Sequence, residues 1–185
     1  MNFLAVIDQV TRRLDAADIH YALIGGFAMA LRGVQRATVD LDFILMLDDL
    51  DRADAIFADS GYTRAFRNEN VSHYISKDTE LGRIDILHAF RGPTLGMLNR
   101  AERIEVVDGL TLPVVHVEDI IGLKIQAAVN SPKRATADWA DIRMMLEAAA
   151  EQKQSIDWEL LADYLKLFKL DTKLETLEQW YGQTK

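Results

Sequence analysis

Two aspartates, Asp40 and Asp42, lie two residues apart inside the otherwise apolar run V-D-L-D-F-I-L-M from Val39 to Met46. Side chains alternate along a β-strand, so both carboxylates project from one face and Val39, Leu41 and Phe43 from the other. Two residues span roughly 6.5 Å along a strand, close enough for two half-buried carboxylates to repel, and a cation between them relieves that cost. A bare D-x-D also suits an edge strand whose polar face meets water. A second apolar segment, R-I-D-I-L from Arg83 to Leu87, carries one acid, Asp85, at its middle. Alone, Asp85 reads as a salt-bridge partner of Arg83 or Arg91. With the D-x-D, it completes an all-oxygen donor set suited to one or two Mg²⁺ ions.

Gly25-Gly26 ends a strand and opens a helix, where missing side chains let a ligand approach the backbone and the first N–H groups attract phosphate. Neither a Walker A loop nor G-x-G-x-x-G is formed there. Arg36 and Thr38 lie on the approach to the D-x-D and are candidate phosphate contacts; Arg36 alternatively neutralises Asp40. Lys124 falls within the stripe Val117, Ile120, Ile121, Lys124, Ala128, whose i, i+3, i+4, i+7 spacing marks a helix face. A lysine in such a stripe snorkels, pairs with Asp138 or Asp141 on the next helix, or meets a triphosphate. Arg134 and Asp138 stand four apart near the start of that next helix, a spacing with a ready structural explanation. His73 and His88 flank the acidic strands and receive no role.

The elements that must position these residues follow from periodicity. Helices are predicted over 2–17, 27–32, 50–60 and 94–102, and strands over 20–24, 39–46, 62–66, 71–76, 83–88, 103–107 and 110–115. Asp108-Gly109, between the last two strands, predicts a type I′ hairpin. From residue 117 onward only helices are predicted: 117–129, 135–150, 157–168 and 172–180. The fold class is α+β, a mixed β-sheet core flanked by helices with a helical C-terminal part, divided into 1–116 and 117–185. Trp139, Ile142, Leu146 and Ala149 are expected to form one core stripe, and Trp158, Leu161, Leu165 and Phe168 another.

Composition narrows the chemistry further. At 185 residues with 49% hydrophobic and 27% charged residues, the chain is an ordinary globular sequence. The absence of cysteine excludes disulfides, thiolate zinc sites and a cysteine nucleophile, and the four histidines form no H-E-x-x-H pair. A net charge of −8 argues against wholesale coating of nucleic acid. The imbalance is local: Asp40 to Asp59 holds seven aspartates and one arginine, whereas Arg64 to Arg103 holds seven Lys/Arg against five acids. An acidic segment beside a mildly basic one suits a metal site next to an anionic substrate. The opening M-N-F-L-A-V-I-D does not read as a signal peptide and no run is long enough to span a membrane, so a cytoplasmic location without membrane partners is expected.

The run I-G-G-F-A-M-A-L-R-G-V-Q-R-A-T-V-D-L-D-F, from Ile24 to Phe43, resembles the signature of the DNA polymerase β-like nucleotidyltransferase superfamily. The segments E-D-I-I-G-L-K-I-Q-A and Arg134 to Asp138 are similar to the minimal bacterial branch of AbiEii-like (abortive infection) nucleotidyltransferases. The resemblance spans roughly residues 18 to 147. It implies a nucleotidyltransferase-type core and Mg²⁺-dependent transfer (or Mn²⁺-dependent) of a nucleoside monophosphate from an NTP such as ATP to an acceptor hydroxyl, with release of pyrophosphate. Asp40, Asp42 and Asp85 would hold the metal, Asp85 would help activate the acceptor, Gly25 and Gly26 would contact nucleotide phosphates, and Lys124 the triphosphate. It further implies a toxin-antitoxin or abortive-infection enzyme acting on tRNA, with a cognate antitoxin as partner. Two other readings stand beside it: an aminoglycoside or lincosamide nucleotidyltransferase, and a non-catalytic nucleotide-binding or antitoxin module. The presence of all three acids weighs against the last.

Overall fold

Val6, Ile7, Val10 and Leu14 recur at helical spacing, and burying all four on one face makes α1 (Phe3–Ala16). The computed structural model describes residues 3–35, 37–38, 40–78 and 81–183. Arg36, a candidate phosphate contact, lies outside them. The chain continues through β1 (Tyr21–Ile24), α2 (Gly25–Leu31), β2 (Asp40–Met46), α3 (Leu50–Asp59), β3 (Thr63–Arg67), β4 (Val71–Ile75), β5 (Arg83–Ala89), α4 (Gly92–Arg100), β6 (Glu102–Val107) and β7 (Leu110–Val114). Helices follow: α5 (Val117–Asn130), α6 (Pro132–Glu151), α7 (Trp158–Leu167) and α8 (Leu174–Gly182). Single 3₁₀ turns at Leu47–Asp49 and Asp171–Lys173 lead into α3 and α8.

The chain divides into two units, one of residues 1–28 with 36–115, the other of 29–35 with 116–185. In the first, seven strands form one mixed sheet in the order β3-β4-β5-β2-β1-β7-β6. The central pair β2/β5 is parallel, β2 runs antiparallel to β1, and β4 runs antiparallel to β5. Leu41, Phe43 and Leu45 fill one face of β2 and are fully buried. On that side Phe57 of α3 packs on Tyr74 of β4, with ring centroids 4.6 Å apart. In the second unit α6 packs on α5 and α8, burying Ile142, Leu146 and Ala149 as the spacing predicts. Trp139 is only half-buried, its ring edge-on to Trp180 at 6.4 Å. Leu161 and Leu165 are buried, while Trp158 and Phe168 are half-buried.

Three local expectations are corrected. Both α4 and α6 begin earlier than periodicity suggests, at Gly92 and Pro132, because proline in the first turn gives up only an N–H that has no helical partner. The turn at 108–109 is not type I′, which needs positive φ at both central residues: Gly109 takes +77° and Asp108 does not. A bulge between Glu105 and Val107 absorbs the mismatch.

His88 is buried at 1% exposure on the face opposite Asp85. Its Nδ1 lies 3.0 Å from the Glu69 carbonyl, which only accepts, so Nδ1 carries the proton and Nε2 accepts from the Ser72 hydroxyl at 2.8 Å. Burial holds the His88 pKa below its ordinary value, with the Glu69 hydrogen bond opposing. The unfolded chain therefore binds this proton at a higher pH than the folded one. The stability from neutral His88 is complete above about pH 6.5 and is lost progressively as pH falls below it. Urea denaturation across pH 5 to 8 should show that decline in wild type and a flatter profile in His88→Gln.

Candidate active site

Asp40 and Asp42 alternate with buried Leu41 and occupy the opposite face of β2, half-buried, whereas Ile44, next on their face, is fully buried. The two carboxylates thus stand where the covered part of that face gives way to solvent. Parallel pairing sets Asp42 directly opposite Asp85 of β5 and Asp40 opposite Arg83, so all three acids share one face of two neighbouring strands. Paired strands lie about 4.8 Å apart.

The paired glycines meet the same point. Ile24 pairs with Asp42, and Gly25 follows at φ +68° with its Cα facing the Asp42 carboxylate. A Cβ there would fall 2.5 Å from Asp42 Cγ. One on Gly26 would lie 2.9 Å from Thr38 Oγ1, whose hydroxyl donates to the Asp40 carbonyl at 3.1 Å. Gly25 is therefore required twice, by its backbone conformation and by the space Asp42 occupies. Gly25→Ala is expected to cost about 2 kcal/mol or more in urea denaturation and to displace Asp42.

Asp85 is already engaged. Arg83 Nε donates to Asp85 Oδ1 at 2.7 Å and Arg83 Nη2 donates to Oδ2, while His73 Nδ1 lies 2.7 Å from Oδ1. The hydrogen bonds to Asp85 raise the Arg83 pKa against the opposing effect of burial, and the charges of Asp85, Asp40 and Asp42 add to the rise. Arg83 is thus the resident counter-ion of the acidic trio. Among the described residues no three His, Asp or Glu side chains converge closely enough to hold a metal ion. The donor set itself fits a hard divalent cation: three carboxylates on one face, two of them in register, with one arginine supplying positive charge in their midst. Gathering all three on a cation requires Asp85 to give up at least one Arg83 bond.

Lys124 belongs to the helical unit. Its ammonium sits 2.6 Å from Asp141 Oδ2 and 3.2 Å from Asp138 Oδ1, with all three side chains largely buried. Arg134, mostly exposed, approaches Asp138 Oδ1 at 3.8 Å. Pairing with both aspartates of the next helix is thus realised.

Sequence reasoning named Arg83 as a salt-bridge partner of Asp85, and the structure shows that pair; it did not extend Arg83 to Asp40 and Asp42, and it did not bring His73 to Asp85. The R-x-D spacing on a strand places Arg83 and Asp85 on one face and is a usable signal. Nothing in the spacing indicates His73, whose position depends on the β4–β5 register.

No family model and no curated protein matches this sequence. Solved structures do match. The chain superposes on the antibiotic-resistance factor ANT(2'')-Ia, crystallised with adenylyl-2''-tobramycin, at a TM-score of 0.67 and 15% identity, covering 91% of this chain and 99% of that one. A nucleotidyltransferase from Thermotoga maritima matches at 0.57 and 17% identity, over 75% and 92% of the two chains. The lincosamide antibiotic adenylyltransferase LnuA, lincomycin-bound, matches at 0.50 and 14%, over 63% and 82%. At such identities the likeness is one of fold, and the chain has the nucleotidyltransferase fold, an α+β architecture built on a mixed sheet. Among the described residues no helix is long and apolar enough to cross a membrane.

Proposed function

We propose that this protein transfers a nucleoside monophosphate from an NTP to an acceptor hydroxyl. The observation carrying the reading is the meeting of Asp42 with Asp85 in strand register, under a glycine whose backbone lies against the Asp42 carboxylate. The acceptor oxygen bonds to the α-phosphorus, the bond from that phosphorus to the bridging oxygen breaks, and pyrophosphate leaves with the electron pair. Asp85 receives the acceptor proton. Asp40, Asp42 and Asp85 would hold Mg²⁺, with Mn²⁺ as a substitute, and the bound cation would offset charge on the phosphoryl oxygens. We assign the backbone N–H groups of Gly25 and Gly26 to the nucleotide phosphates, and the Thr38 hydroxyl stands beside Gly26. The assignment of Lys124 to the triphosphate rests on the sequence resemblance alone.

For the acceptor we favour a small polyhydroxylated molecule of the antibiotic class. Two fold neighbours support this, one solved with adenylyl-2''-tobramycin and the other with lincomycin. The tRNA acceptor, with its toxin role and antitoxin partner, rests on the sequence resemblance and is the second reading. Incubation with each α-labelled NTP and Mg²⁺, in parallel with an aminoglycoside, a lincosamide and total RNA, tests both. Label on a drug is the expected result, and label on RNA favours the second reading. No pyrophosphate release with any acceptor defeats the proposal. Chelation with EDTA should abolish turnover, and added Mg²⁺ should restore it.

A further inference from the structure

The sheet register lines up four residues across four adjacent strands: Asp42 opposite Asp85, Asp85 opposite His73, and His73 opposite Phe66. Their side chains share one face. The Phe66 ring stacks on the His73 imidazole with centroids 5.4 Å apart and planes at 24°, although Phe66 is 48% exposed. An aromatic ring left half in water gains little from burial of its own, but it fixes the plane of the histidine beside it.

A carboxylate at the middle of a strand turns easily about its last torsion. Two groups oppose that freedom at Asp85. Arg83 binds both oxygens from a long, half-exposed side chain, and as the counter-ion of the trio it loses its electrostatic reason to stay once another cation arrives. His73 binds Oδ1 alone, from the facing ladder position. A carboxylate oxygen only accepts, so Nδ1 donates.

We propose that His73 is a positioning residue for Asp85: held by Phe66, it pins Oδ1 and so leaves Oδ2 aimed at the acceptor hydroxyl. The role rests on the nucleotidyl-transfer reading of the site. Misplacing a reacting group by about 1 Å costs on the order of 100-fold in rate, which sets the scale of the effect.

Kinetics of His73→Ala, His73→Asn and Phe66→Ala at saturating NTP test it. His73→Ala should lower kcat about 10- to 100-fold with the NTP KM within about twofold. His73→Asn, whose amide N–H takes the place of Nδ1–H, should recover most of the loss, and Phe66→Ala should give a smaller loss of the same kind. An unchanged kcat in His73→Ala, or a loss in His73→Asn as deep as in His73→Ala, overturns the inference. Wild-type protein that consumes no NTP overturns the transfer reading instead. The ¹⁵N spectrum of His73 at pH 8 separates the two, because it needs no turnover. A ring protonated at Nδ1 is expected, and one protonated at Nε2 overturns the positioning role by itself.

Discussion

Asp42→Asn should reduce Mg²⁺-dependent NTP turnover by at least about 1,000-fold, some 4 kcal/mol of transition-state stabilisation, while the protein melts at or slightly above the wild-type temperature. Both halves follow from geometry. Asp42 stands opposite Asp85, one residue from Asp40 along the face, and against the Gly25 backbone. No nearby carboxylate can substitute for it without moving a strand. Replacing one of three like charges with a neutral isostere relieves repulsion among the acids and keeps the shape against Gly25. Pyrophosphate release assays and thermal melts on the same preparation check the pair. Turnover within tenfold of wild type would remove Asp42 from the metal set, and a melt lowered by several degrees would make it a structural group.

Lys124→Met should destabilise the protein by about 3–5 kcal/mol, the scale for breaking a buried ion pair by removing one partner. The methionine fills similar space, but Asp138 at 2% and Asp141 at 6% side-chain exposure lose the ammonium that both approach. Arg134 at 3.8 Å is too exposed to replace it. Lys124→Met combined with Asp138→Asn and Asp141→Asn should regain most of that loss, since neutral amides at these buried positions need no cation beside them. Urea denaturation of wild type, the single variant and the triple variant measures this. The triple variant also tests the nucleotide role apart from stability: if Lys124 contacts the triphosphate, the variant should be well folded and bind NTP at least about tenfold more weakly, one hydrogen bond to a charged group being worth about 1.5–3 kcal/mol. Wild-type affinity in the triple variant confines Lys124 to the helix pair.

The acids, the lysine, the hairpin turn and the histidine differ in how far the sequence could reach them. The alternation in V-D-L-D-F placed Asp40 and Asp42 on one strand face because a period of two leaves no other arrangement. Lys124 and its two carboxylate candidates were legible for a similar reason, as residues on the facing stripes of consecutive helices. The Asp108-Gly109 turn was located but mistyped: the sequence marks where a turn occurs, while the bulge at 105–107 decides which one. His73 was invisible as a partner of Asp85, because a one-residue slip between β4 and β5 would have put it on the other face.

By itself, then, the sequence determined what short-range sterics and periodicity control: the order of strands and helices, the sidedness of each acid, and the glycine pair at the end of β1. Tertiary structure alone decided which acids are neighbours, that Arg83 holds the charge of the trio, and that His73 and Phe66 extend the row beyond Asp85. The physical reason is that strand order and register are set by long-range pairing. Residues 42, 66, 73 and 85 are brought side by side by hydrogen bonds between segments whose spacing along the chain carries no trace of that pairing.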